Sequence, residues 1–272
     1  VAAAARRRPA QLKQGTRAMH VEAIAPGQTS PFRPVNALAT LQLTGIASLE
    51  ALLGFLEQQR AADPAARVLC TLDDIGQCGY TSMHASMDAR IDLDEDVQDE
   101  SPDAGHARAL RRLAHVVSRL DADEHRVDWT ALAGTLECTD ADIEALAAMN
   151  AAPDAVLDDE VHLLRLPVAR DDLLLAGLPN GYFRFDWDLF QNHALARRLQ
   201  AHGYRLFGIG ASWLGFVHAH PLAAAAADAL IADLRLVYGP AGSDQAWDTL
   251  SAAVRLRRTL LLGYTGNFGE RD

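Results

Sequence analysis

The sequence predicts a mixed α/β or α+β fold, with short sheets covered by Ala/Leu-rich helices. Three observations carry that expectation. Strand-like and helix-like patterns follow one another along the chain, as in the apolar run Arg67–Leu72 after the helical spacing of Leu49, Leu52, Leu53 and Leu56. Hydrophobic residues are 49% of the chain and charged residues 22%, which suits a protein with a sizeable core. Aromatics are only 6%, so Ala, Leu and Val must fill most of it.

Residues 1–18 read as a disordered arm or a mis-assigned start, with Met19 a natural initiator. They hold Arg6, Arg7, Arg8, Lys13 and Arg17 and no acid. A secretory signal needs an apolar run after its basic end, and Pro9, Gln11, Lys13 and Gln14 interrupt this one. Residues 19–88 form an N-terminal α/β part. Pro26, Pro31 and Pro34 make 19–35 an irregular or edge segment, and 36–43 alternates like a strand. Ser48 caps a helix that Asp63–Pro64 ends, and Arg67–Leu72 is the next strand. Residues 89–103 are an acidic loop or linker and the best boundary between domains; the span 88–103 holds eight acids and one arginine. Asp92, Asp94 and Asp96 imitate the start of a calcium loop, but Val97 and Asp103 stand where that loop needs Gly and Glu.

Residues 104–272 form a C-terminal α/β part, unless both parts share one domain. Helices are expected near 103–120 and at 139–149, and a strand at 161–168 placed at an edge or ended by Pro167. A short helical turn is expected at 171–176 and a turn at Asn180–Gly181. Asp186 reads as the cap of a helix that Gly203 stops. Two apolar runs, 204–209 and 212–217, flank Gly210–Ala211 as a hairpin. Helices at 221–238 and 244–262 and a loose tail close the chain.

Several enzyme classes are excluded. Lys13 is the sole lysine, so the body lacks the lysine of a phosphate-binding loop, a kinase or a Schiff-base enzyme. Gly208-Ile209-Gly210 is followed by the strand-like SWLGFV rather than a helix, which argues against a dinucleotide fold. Ser212 lacks the small +2 residue of a nucleophile elbow and any acid between it and His218. Cys70, Cys78 and Cys138 form no metal or disulfide pattern and read as small buried hydrophobes. No cofactor is expected. No apolar stretch reaches the length of a membrane span, and a cytoplasmic bacterial-type protein is the expectation.

Residues 179–220 are where chemistry would sit. Asn180, Tyr182 and Asn192 are candidate ligand-binding residues, set among five aromatics of 179–193. Asp186, Asp188 and His193 are candidate catalytic residues, because Asp186 and His193 are two helical turns apart and could act as an acid/base pair. The bland alternative makes Asp186 a cap and the rings core. His218 and His220, at i and i+2 of a strand, are candidate metal ligands lacking an identified third partner.

From Met19 onward 20 basic residues face 36 acidic ones, a net charge of −16. Such a body repels phosphate backbones and suits a cationic protein partner or simple solubility. The leading expectation is a non-enzymatic binding protein that neutralises a cationic partner, as an antitoxin or immunity protein does. The alternatives are a small-molecule or metal-dependent enzyme using 179–220, and an assembly subunit that joins copies through sheet edges.

Overall fold

A computed structural model describes residues 19–25, 38–93 and 101–269. Residues 1–18 and most of the calcium-loop-like run lie outside the described residues. The fold is α/β, built on a seven-stranded mixed sheet. Its strands are β1 (His20–Ala23), β2 (Ala39–Thr44), β3 (Arg67–Thr71), β4 (Glu160–Leu166), β5 (Arg205–Ile209), β6 (Trp213–Val217) and β7 (Thr259–Gly263). They lie in the order β1-β2-β4-β3-β5-β6-β7. Every neighbouring pair is antiparallel except β3 and β5, which run parallel. Strands from either side of residues 89–103 alternate within this sheet.

The helices are α1 (Leu49–Ala62), α2 (Ile75–Ala85), α3 (Pro102–Asp121), α4 (Asp140–Ala151), α5 (Leu189–Ala201), α6 (Ala224–Tyr238) and α7 (Asp244–Leu256). Their starts follow the capping chemistry of the sequence. Ser48 accepts from the Ala51 amide, and Thr139 with Asp142 closes a reciprocal capping box. Successive residues of a strand face opposite sides. All five residues of β6 and of β7 are buried, so both faces of the sheet are covered there. At the other end β1 is exposed throughout. β4 is an interior strand and stops at Leu166, just before Pro167.

The sheet edge at β7 is closed by a side chain. Asn150 of α4 is buried; its Oδ1 accepts from the Leu261 amide and its Nδ2 donates to the Leu261 carbonyl, both at 2.8 Å. One primary amide thus takes the place of a neighbouring strand.

Four expectations are corrected. The helix expected over 244–262 ends at Leu256, and 259–263 is strand β7. Leu260, Leu261 and Leu262 are consecutive and all buried, which a strand covered on both faces satisfies. The tail is anchored, with Tyr264 and Phe268 buried. Asp186 is not the cap of α5; Asp188 is, and it forms a capping box with Gln191. His218 and His220 lie beyond the end of β6, not within it. Helix α2 was not anticipated, because its buried side is built from Gly79, Ser82, Cys78 and Ala85 beside Ile75, a weak helical signal.

Candidate functional site: an exposed aromatic and methionine surface

Helix α2 begins where β3 ends, at Asp73–Asp74. Asp74 takes a left-handed conformation (φ 38°) and its side chain accepts from the Gln77 amide, which turns the chain sharply from strand to helix. The helix buries Ile75, Cys78, Ser82 and Ala85. Its opposite face carries Tyr80, Met83, His84 and Met87, the last just past the helix end, at the i, i+3, i+4, i+7 spacing of one helical stripe. A solvent-facing stripe is ordinarily polar. Here Tyr80, Met83 and Met87 are 44–67% exposed.

A second segment extends this surface. The turn expected at Asn180–Gly181 lies instead at Phe183–Asp186, closed by the Asp186 amide on the Phe183 carbonyl at 2.9 Å, and Gly181 leads into it with φ +91°. A Cβ there would collide with the Trp187 carbonyl. Asp186 then organises the exposed turn. Its Oδ2 accepts from the amides of Tyr182 (3.2 Å) and Phe183 (2.9 Å), and its Oδ1 from Gly266 (3.4 Å). Burial raises the Asp186 pKa above the ordinary carboxyl value, partly offset by those three amides. The turn presents Tyr182, Phe183 and Phe185, each 43–49% exposed. The two segments meet at His84, which stacks on Tyr182 (4.7 Å between centroids) and meets Tyr80 edge-on (4.5 Å). Tyr182 also contacts Phe183 edge-on at 5.5 Å.

The remaining candidates are dispersed. Asn180 is buried and donates to the carbonyl and Sγ of Cys78. Asn192 is buried and donates to the Trp187 carbonyl. Asp188, besides capping α5, accepts from Arg90 at 2.8 Å. Asp186 and His193 go to different partners. His193 Nε2 meets Asp172 Oδ2 at 2.8 Å, and both groups are buried. Burial disfavours the Asp172 carboxylate, but bonds from His193 and Arg170 outweigh it and bring the pKa down to about 2. Asp172 lines an open cavity of about 410 Å³ with Asp121, Arg126, Arg170, Arg197 and Gln200. The sequence reading missed Asp172, which shows nothing but a helical-turn acid locally. His218 Nδ1 contacts the backbone of His220. Among the described residues no group of three or more His, Cys, Asp or Glu side chains could hold a metal ion. Cys70 and Cys78 are buried thiols and Cys138 is half-buried.

Asp73 was also missed. Its Oδ2 accepts from the Ser212 amide at 3.0 Å, whereas its Oδ1 is buried without a partner among the described residues. Burial pushes its pKa up to about 7, against the Ser212 and Trp213 amides.

Comparison with protein-family models, with curated proteins and with solved structures finds no match. No helix among the described residues is long and apolar enough to cross a membrane. The fold and the surface together define the class: an α/β protein that exposes a contiguous aromatic and methionine face.

Proposed function

We propose that this chain is a non-enzymatic binding protein that neutralises a cationic protein partner. The observation that carries this reading is the use of its charges. Many arginines are engaged within the fold: Arg60 with Asp171, Arg170 with Asp121 and Asp172, Arg198 with Asp233, and Arg258 with Glu50 and Glu57. Glu22, Asp74, Glu137, Asp159 and Asp248 stand exposed with no ion-pair partner among the described residues. The surplus negative charge therefore faces solvent, where it steers and holds cations. Calorimetric titration with oligolysine and with oligoglutamate tests this. Binding of oligolysine alone, weakening as salt rises, is expected; equal or absent binding of both at low salt refutes it.

One observation favours a second reading, a small-molecule enzyme. The buried Asp172–His193 pair lies beside a cavity of the size ligands occupy, about 410 Å³. A metabolite screen by thermal shift tests it. A ligand that stabilises the native protein but not Arg170→Ala or Arg197→Ala would favour this reading over the first.

A further inference from the structure

Building on the cationic-partner reading, we infer that the partner docks on the face formed by α2 and the 182–185 turn, and that it does so with an amphipathic cationic segment: apolar anchors flanked by Lys or Arg. Tyr80, Met83 and Met87 leave one side of α2 apolar to solvent, and Tyr182, Phe183 and Phe185 continue it. Exposed contiguous rings and methionines are the composition of binding surfaces rather than of ordinary solvent faces. Methionines on such a face adapt to varied apolar anchors.

The preparation of the surface argues in the same direction. Three backbone amides converge on the Asp186 carboxylate, and Gly181 takes a left-handed conformation to bring Tyr182 over His84. Rings held in this way lose little further freedom on binding, which favours affinity.

Charge selects among occupants. Asp74 stands at the start of α2 and Asp92 shortly after its end, both exposed. In sequence, the acid-rich run 88–103 follows directly from this helix. Arg90 offsets one of Asp88 and Asp188, Arg112 reaches Asp92 at 3.6 Å, and Arg184 stands exposed over the Phe185 ring on the turn itself, so the four acids outnumber the three arginines by one, with Asp74 outside any ion pair among the described residues. A second copy would bring another net charge of −11 against the first, which opposes self-association. A basic segment is attracted where a second copy is repelled.

The test uses the full chain and a synthetic Leu/Lys amphipathic helix of about 18 residues, five turns. Oligolysine and a Leu/Glu helix of equal length are the controls. Met83→Ser and Tyr182→Ser alter exposed side chains, and amide NMR spectra establish that each variant is folded. The Leu/Lys helix is expected to shift amide signals of 75–87 and 181–186, and each variant to weaken it about tenfold or more, a loss of about 1.4 kcal/mol or greater. Oligolysine is expected to bind weakly and equally to all three proteins. If the Leu/Lys helix binds wild type and variants alike, the docking face is wrong while the cationic reading stands. If neither cationic probe binds, both fall. Equal binding of the Leu/Glu helix overturns the charge selection. Sedimentation showing a dimer that Met83→Ser abolishes makes a second copy the occupant and overturns the inference.

Discussion

Replacing Asn150 by Ala should destabilise the fold more than its single lost side chain suggests. The Leu261 amide and carbonyl both bond to Asn150, at 2.8 Å each, and Leu261 is fully buried. Alanine leaves one N–H and one C=O in the interior without partners. Each unpartnered group costs about 1–3 kcal/mol, so the two together cost about 2–6 kcal/mol, against a total stability of about 5–15 kcal/mol for a typical domain. The bond from Asn150 Nδ2 to the Leu146 carbonyl adds little, because that oxygen sits in a helix and has its own helical partner. Urea unfolding followed by circular dichroism measures the difference. Asn150→Asp sharpens the test. A carboxylate accepts from the Leu261 amide but cannot donate to its carbonyl, so this variant should be weak at neutral pH and recover as acid restores a proton to donate. A loss below about 0.5 kcal/mol for Asn150→Ala, or no acid recovery for Asn150→Asp, would mean that the amide does not close the β7 edge.

Three further outcomes are expected. Asp73 has its pKa raised from 3.8 to about 7 in the folded protein, so the fold holds a proton that the unfolded chain has released across that interval. Stability should therefore fall as pH rises from 3.8 to about 7 and level off above, by an amount on the order of 1–4 kcal/mol; Asp73→Asn should flatten this slope in urea titrations, and an unchanged slope counts against the assignment. Asp172 behaves oppositely, since its pKa is lowered from 3.8 to about 2. Its contribution is present above 3.8 and lost as pH falls through about 2, by about 1–2 kcal/mol, and Asp172→Asn should remove that part of the acid transition; a variant with the wild-type acid profile would contradict it. Gly181→Ala combines φ +91° with a collision against the Trp187 carbonyl, so a loss of about 1–3 kcal/mol and faster amide exchange at Tyr182 and Phe183 are expected, and protected amides would refute the strained turn.

The sequence made the capped helices and short strands legible because their signals are local. Ser48 caps its helix where its pattern placed it, and the hairpin of β5 and β6 forms with its turn one residue later than expected, at Ala211–Ser212 between the paired Gly210 and Trp213. The exposed face was half legible. The aromatic density of 179–193 drew attention to that segment, but its partner, α2, lies about a hundred residues earlier and has a weak helical pattern. The pairing of His84 with Tyr182 exists only in three dimensions. Asp186 and His193 illustrate the converse: helical spacing puts them on one face only if one helix contains both, and the helix starts after Asp186, at Leu189. Asp172 and Asp73 gain their altered proton affinities from burial and from the distant donors His193 and Ser212, which no local pattern records, with Arg170 the one neighbour in sequence.

In open α/β sheets ligands favour the crevice beyond the carboxyl ends of parallel strands. Here the parallel pair is β3 and β5, and the region beyond their ends is filled by the chain itself. The Asp73 carbonyl and carboxylate accept from the Ala211 and Ser212 amides. The Tyr264 hydroxyl donates to the Gly210 and Ala211 carbonyls at 2.7 and 3.0 Å. Gly210 lies so close to Asp73 that a Cβ would overlap its Oδ1. This packing also fixes the point from which α2 departs. The rigid anchoring of Asp73–Asp74 and of the segment after β7, through Gly266 and Asp186, holds both halves of the aromatic face at fixed positions. A surface prepared in this way gains from contact with another chain, since the cost of ordering its rings is met during folding rather than at binding.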